Sequence, residues 1–173
     1  MKRSFRSLFL FVMMLCAFTQ LAQAEGTGKR LHIPWPEGWQ LTEPQIQQSA
    51  MHQNARLQKA GKTVIDLKLT AINLSHGPKP PDLATVKQLA TNLRDAVAPT
   101  ATEKNLPLQA FDKAQGYYFV ATDKQPKPGE FTQMMEGVIL QDSYLINFTL
   151  LTNDIEGADA QAMASALNQL NIN

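Results

Sequence analysis

The sequence predicts an α+β domain: an antiparallel β-sheet flanked by helices. Two observations predict it. Most of the chain reads as short runs that alternate apolar and polar residues between Gly-, Pro- or Asp-bearing turns, the pattern of hairpin-linked strands. Two segments, near 83–97 and 157–170, instead repeat their apolar residues at helical spacing. Hairpin connections make a sheet antiparallel, and helices set apart along such a chain cover it in layers.

Residues 1–24 predict a cleaved export signal. Lys2, Arg3 and Arg6 precede an apolar run over 8–18, and Ala22-Gln23-Ala24 is an A-x-A cleavage pattern. The apolar run is well short of the ~20 residues a bilayer span needs. Cys16 raises a lipoprotein alternative. Leu15 stands against it, where lipoprotein signals take a small residue. The expected mature chain, residues 25–173, is a single α/β domain long enough to bury its own core, with no stable membrane span. Three of the 16 Lys and Arg lie in the signal, so 13 oppose 15 Asp and Glu in the remainder, a net charge of −2. That balance, without a basic run, gives no electrostatic case for nucleic acid or for a polybasic membrane contact. Cys16 is the only cysteine, so the mature chain is expected to lack a disulfide, a thiolate nucleophile and a cysteine metal ligand. Its core alone must hold it. The short basic start and the Ala-ending site predict Sec export to the periplasm.

The elements follow in order. Residues 29–33 form a short strand that Pro34 and Pro36 stop by removing backbone donors. Glu37-Gly38 turns the chain, and Trp39-Gln40-Leu41 resumes an extended direction. Met51, Gln53, Ala55 and Leu57 alternate with polar neighbours, as do Ile65, Leu67, Leu69 and Ala71 beyond the Ala60-Gly61-Lys62 turn. Two such runs around a Gly-bearing turn predict a β-hairpin. Residues 49–58 also suit a helix by propensity. The Pro-rich stretch 75–82 is a loop, and Asp82 can cap a helix whose apolar stripe is Leu83, Val86, Leu89, Ala90, Leu93 and Val97. Pro99 ends that helix. A weak strand at 108–112 precedes a strong one at 117–122, rich in aromatic and β-branched residues. After the loop 123–130, strands 131–140 and 144–152 flank a tight turn at Gln141-Asp142-Ser143. The second is apolar on one face and half apolar on the other, so both faces are expected to be covered. A closing helix, 157–170, carries Ala160, Met163, Ala164, Leu167 and Leu170.

The segments IPWPEGWQL, QNARLQKAGKTVIDLKLT and LLTND with the closing ALNQL, in this order of elements, resemble the Mog1/PsbP-like α/β/α sandwich. Within it, the chain looks most like a family of small exported proteobacterial proteins. The resemblance covers most of the mature chain and marks fold rather than chemistry. It implies a binding or accessory role and carries no functional residue onto any position.

Chemistry-bearing patterns are sparse. His32, His52 and His76 show no local metal-site spacing. Met51-His52 and Met134-Met135 offer soft ligands for cuprous ion, but scattered histidines and core methionines are the plainer reading. There is no G-x-S-x-G elbow, and the adjacent Ser75 and His76 are not a triad. Glu136 is expected to be an outward-facing strand residue. No cofactor is expected. Trp39 is expected to anchor the first strand in the core, and Trp35, between two prolines, to be open for contact. The loops around Lys79 and Lys127 join rigid prolines to exposed cations and would form a partner site if they shared one end of the sheet. The expected function is a periplasmic, non-catalytic accessory protein that binds an envelope protein or component through Trp35, Lys79 and Lys127. The alternative is a carrier of an apolar ligand in a pocket between the central helix and the sheet.

Overall fold

A computed structural model describes residues 31–41, 52–75 and 81–172. The expected export signal lies outside them. Where the sequence alternates, strands form: β1 (Leu31–His32), β2 (Gln40–Leu41), β3 (His52–Lys59), β4 (Lys62–Asn73), β5 (Gln109–Ala110), β6 (Gln115–Thr122), β7 (Gln133–Gln141), β8 (Tyr144–Thr152) and β9 (Asn171–Ile172). The helices are α1 (Leu83–Val97) and α2 (Ala158–Leu167). Strand, not helix, is therefore the outcome for 52–58. No described helix is long and apolar enough to cross a membrane.

Seven strands form one antiparallel sheet in the order β2-β3-β4-β8-β7-β6-β5. β1 and β9 pair separately, Leu31 opposite Ile172. The closing helix stops at Leu167 rather than at Leu170, because the chain straightens to make β9.

The β3–β4 hairpin turns at Ala60 and Gly61, both left-handed with φ of 50° and 74°. That geometry matches the twist of paired strands. Carried straight down the hairpin, a two-residue turn would set buried Leu57 against Val64. A bulge between Leu57 and Gln58 shifts the register, and Leu57 instead meets buried Ile65. Thr152, itself buried, donates its hydroxyl to the Val64 carbonyl at 3.1 Å and so satisfies a backbone group beside the bulge.

The two sheet faces have separate cores. On the α2 side, Leu67, Ile139, Ile146, Phe148 and Leu150 pack with Met163 and Leu167, and with Leu31 and Ile172 of the small sheet. On the other side Val86, Ala90 and Val97 of α1 meet Val138, Phe119 and Ala121. Each fully buried side chain of this kind contributes about 1.5–3 kcal/mol. This is the α/β/α layering that the resemblance implies. Asp82 caps α1 by accepting from the Thr85 N–H at 2.8 Å. α1 lies over β6 and β7. Beyond it, β3 and β4 carry polar residues on that face up to Thr70: Asn54 and Lys68 are exposed, and Arg56, Asp66 and Thr70 are half-buried; apolar Ile72 follows, opposite Leu145.

The β6 edge is closed against further pairing. β5 covers Tyr117 and Tyr118, Ala101 bridges Asp123, and Thr102 donates to the Thr122 carbonyl at 2.8 Å. Glu103 accepts from the Thr122 N–H at 3.0 Å. Burial works to raise the Glu103 carboxyl, but the Thr122 backbone and hydroxyl and its own N–H outweigh that and hold it below its ordinary value.

Candidate functional site

The loop 123–132 is ordered by its own chemistry. Asp123 accepts from the Gln125 N–H at 2.9 Å, an Asx turn, and donates its own N–H to the Thr132 carbonyl at 2.8 Å. Next comes a type II turn. Pro128 presets its first central position, and Gly129, with φ of 82°, takes the left-handed second one. The turn closes through Glu130 N–H to the Lys127 carbonyl at 3.0 Å, and the Glu130 carboxylate accepts from the Lys127 N–H at 3.2 Å. Asn153, past the end of β8, accepts from both the Thr132 N–H and its hydroxyl, at 2.8 and 3.1 Å.

Between this loop and the β3–β4 hairpin lies an open cleft of about 810 Å³. Arg56, Lys62 and Asp66 line the hairpin wall, and Lys127, Glu130 and Phe131 the loop wall. Arg56 pairs with Asp66 at 3.3 Å across the strands. Both are partly solvated, so the pair adds little stability and mainly fixes side-chain positions. The lining contains no histidine, cysteine or serine. It offers charges of both signs, one aromatic ring and rigid proline walls, which suits recognition of a polar, partly apolar segment.

The expected site residues part company. Lys127 lines the cleft. Lys79 lies outside the described residues. Trp35 is half-buried against the α2-side core, as is Trp39, and its N–H donates to the Ile33 carbonyl at 2.8 Å. Residues 76–80 of the first Pro/Lys loop lie outside the described residues, so only the strand ends that flank the two loops can be placed. Asn73, near the first loop, pairs with Tyr144 at one end of the sheet, while Gln133, after the second, pairs with Thr152 beside Ile65 at the other. Eight residues of strand, about 26 Å, separate those ends.

Glu136 corrects another expectation. It does not face outward: it is only 4% exposed, because α1 covers the face to which it points. Burial pushes its carboxyl up to about 7, against a smaller opposing effect of Thr149, whose hydroxyl donates to Oε1 at 3.5 Å. Met134 and Met135 go to opposite cores, as neighbours on a strand must. Among the described residues no three His, Cys, Asp or Glu are placed to hold a metal. The interface between α1 and the sheet, the alternative place for a ligand, is filled by Val86, Ala90, Phe119 and Val138.

No protein-family model matches the chain, and no curated protein matches it by sequence. Solved structures do. A crystal structure from Bacteroides thetaiotaomicron VPI-5482 aligns with TM-score 0.53 at 7% identity, over 83% of this chain and 45% of that one. The chain thus spans less than half of that protein, and the likeness is one of fold alone. Looser alignments join it to the solution structure of cyanobacterial PsbP from Synechocystis sp. PCC 6803 and to the crystal structure of LpqN from Mycobacterium tuberculosis. The first has TM-score 0.47 at 13% identity, over 88% of this chain and 99% of that one. The second has TM-score 0.42 at 14% identity, over 87% of each.

Proposed function

We propose that this chain is an exported, non-catalytic binding protein of the periplasm, and that it engages an envelope protein or component through the cleft beside Lys127. One observation carries the reading. The wall of the cleft that a loop supplies is already fixed by a type II turn and by the Asp123, Glu130 and Asn153 side chains. A preformed wall spares the ordering cost that a mobile loop would incur on binding. The export pattern of residues 1–24 supports the compartment, and the mixed charges and single aromatic ring of the lining support recognition of a partner segment.

The test is in-cell photo-cross-linking from position 127, with exposed Gln161 on α2 as the control position. The expected result is one envelope protein captured at 127, absent at 161, and lost when Lys62 and Lys127 are both changed to Glu. Equal capture from both positions, or none above background from 127, would reject the cleft as the binding surface. Fractionation of the same cells checks the periplasmic location.

A further inference from the structure

Glu136 sits on β7 between Met134 and Val138, which share its face. Phe119 of β6 and Thr149 of β8 stand directly opposite it. Met134 packs with Val97, and Val138 with Val86 and Ala90, so the carboxyl lies under the middle of α1. Its Oε1 has one long hydrogen bond, from Thr149 at 3.5 Å, and its Oε2 has no partner among the described residues.

The neighbouring charges are directed elsewhere. On α1, Arg94 is engaged by Asp95 at 2.8 Å, and Lys87 lies over the Tyr117 ring at 5.7 Å. β6 presents Tyr117, Phe119 and Ala121 on this face. Asp123 follows them, four residues beyond Phe119, and accepts from the Gln125 N–H. β8 presents Asn147, Thr149 and Leu151. The nearest cation in register is Lys68 of β4, opposite Thr149 and two strands from Glu136, about 10 Å between backbones.

We propose that Glu136 is a proton-controlled latch for α1: as a neutral acid it lets the helix seat on the sheet, and as a carboxylate it loosens that seat. A carboxylate needs several donors, and this site supplies one. Water can supply the rest only where α1 lifts. The ordinary value is 4.5 and the buried one about 7. The seat is therefore firmest below pH 4.5, weakens as pH rises, and has lost this contribution once pH passes about 7.

The test is hydrogen–deuterium exchange of the α1 amides in the purified protein and in Glu136→Gln, an isosteric change that cannot ionise. Taking the ratio of the two at each pH cancels the intrinsic pH dependence of exchange. If lifting α1 restores an ordinary carboxyl, the ratio rises about thirtyfold between pH 5.5 and 8.5. The α1 amides should exchange ahead of those of β4 throughout, which marks a local opening. A flat α1 ratio overturns the proposal, even if global stability still depends on pH. Thr149→Val supplies a second variant: removing this donor moves the midpoint of the rise to higher pH. An unmoved midpoint also counts against the latch.

Discussion

Gly137→Ala is the sharpest test of how tightly the central strands are packed. Gly137 lies on β7 and faces the α2-side core opposite Phe148. A methyl group there would stand 2.4 Å from the Tyr117 carbonyl oxygen, 2.8 Å from Phe148 Cε1 and 2.8 Å from Tyr118 Cβ. All three are well inside van der Waals contact. The carbonyl belongs to β6, which is held in the β6–β7 ladder, and Phe148 is only 1% exposed and packed against Phe111. Neither can withdraw freely. Overpacking of this kind costs about 1–3 kcal/mol, and a disturbed ladder hydrogen bond about 1 more. We expect a loss of about 3 kcal/mol, which lowers Tm by roughly 6–12 °C for a domain of this size. Gly129→Ala is the matched control. Nothing lies within 4 Å of its added methyl, but φ of 82° is unfavourable for alanine, which costs about 1 kcal/mol. Calorimetry and urea titration at one pH measure both. A smaller loss for Gly137→Ala than for Gly129→Ala would refute the packing argument.

Two further outcomes are expected. Trp35→Ala should cost about 2 kcal/mol, because its half-buried ring rests on the α2-side core, and an unchanged Tm would show the ring to be a free contact surface. Stability from urea titration should fall by about 3 kcal/mol more in the wild type than in Glu136→Gln as pH rises from 4.5 to above 7, since the native protein holds a proton that the unfolded chain releases. Parallel pH curves for the two proteins would show that Glu136 titrates normally.

The hairpin, both helices and the strong strands were legible because burial on one face imposes a period, and their boundaries shifted by only a few residues. Other features depend on contacts that the period does not carry. β9 has two residues, and only its pairing with Leu31 and His32 makes it a strand. Arg56 and Asp66 do not stand out in the sequence, since a straight hairpin would not set them opposite each other. The bulge does, and the conflict it relieves is visible in the sequence only when the Ala60-Gly61 turn is counted through to Leu57 and Ile65. Glu136 has apolar neighbours in the sequence, but nothing local to it tells an inward from an outward side chain. The half-apolar pattern of β8 predicted a covered face. The sequence did not show that α1 would reach across to β7.

One geometric limit ties these features together. The five long or edge-paired strands from β3 to β6 span about 20 Å across the sheet, and a helix with its side chains is about 10 Å wide. A single helix therefore covers β6 and β7 and leaves β3 and β4 open on that face, where their side chains include Asn54, Arg56, Asp66 and Lys68. Glu136 lies one strand inside the boundary, and the cleft lies where the open half meets the loop 123–132. That loop is fastened to the end of α1: Lys124 donates its N–H to the Thr100 carbonyl at 3.0 Å and its ammonium to the Pro99 carbonyl at 3.1 Å. A shift of α1 is thus also a shift in one wall of the cleft. By linkage, a partner that binds the seated form must in turn raise the proton affinity of Glu136.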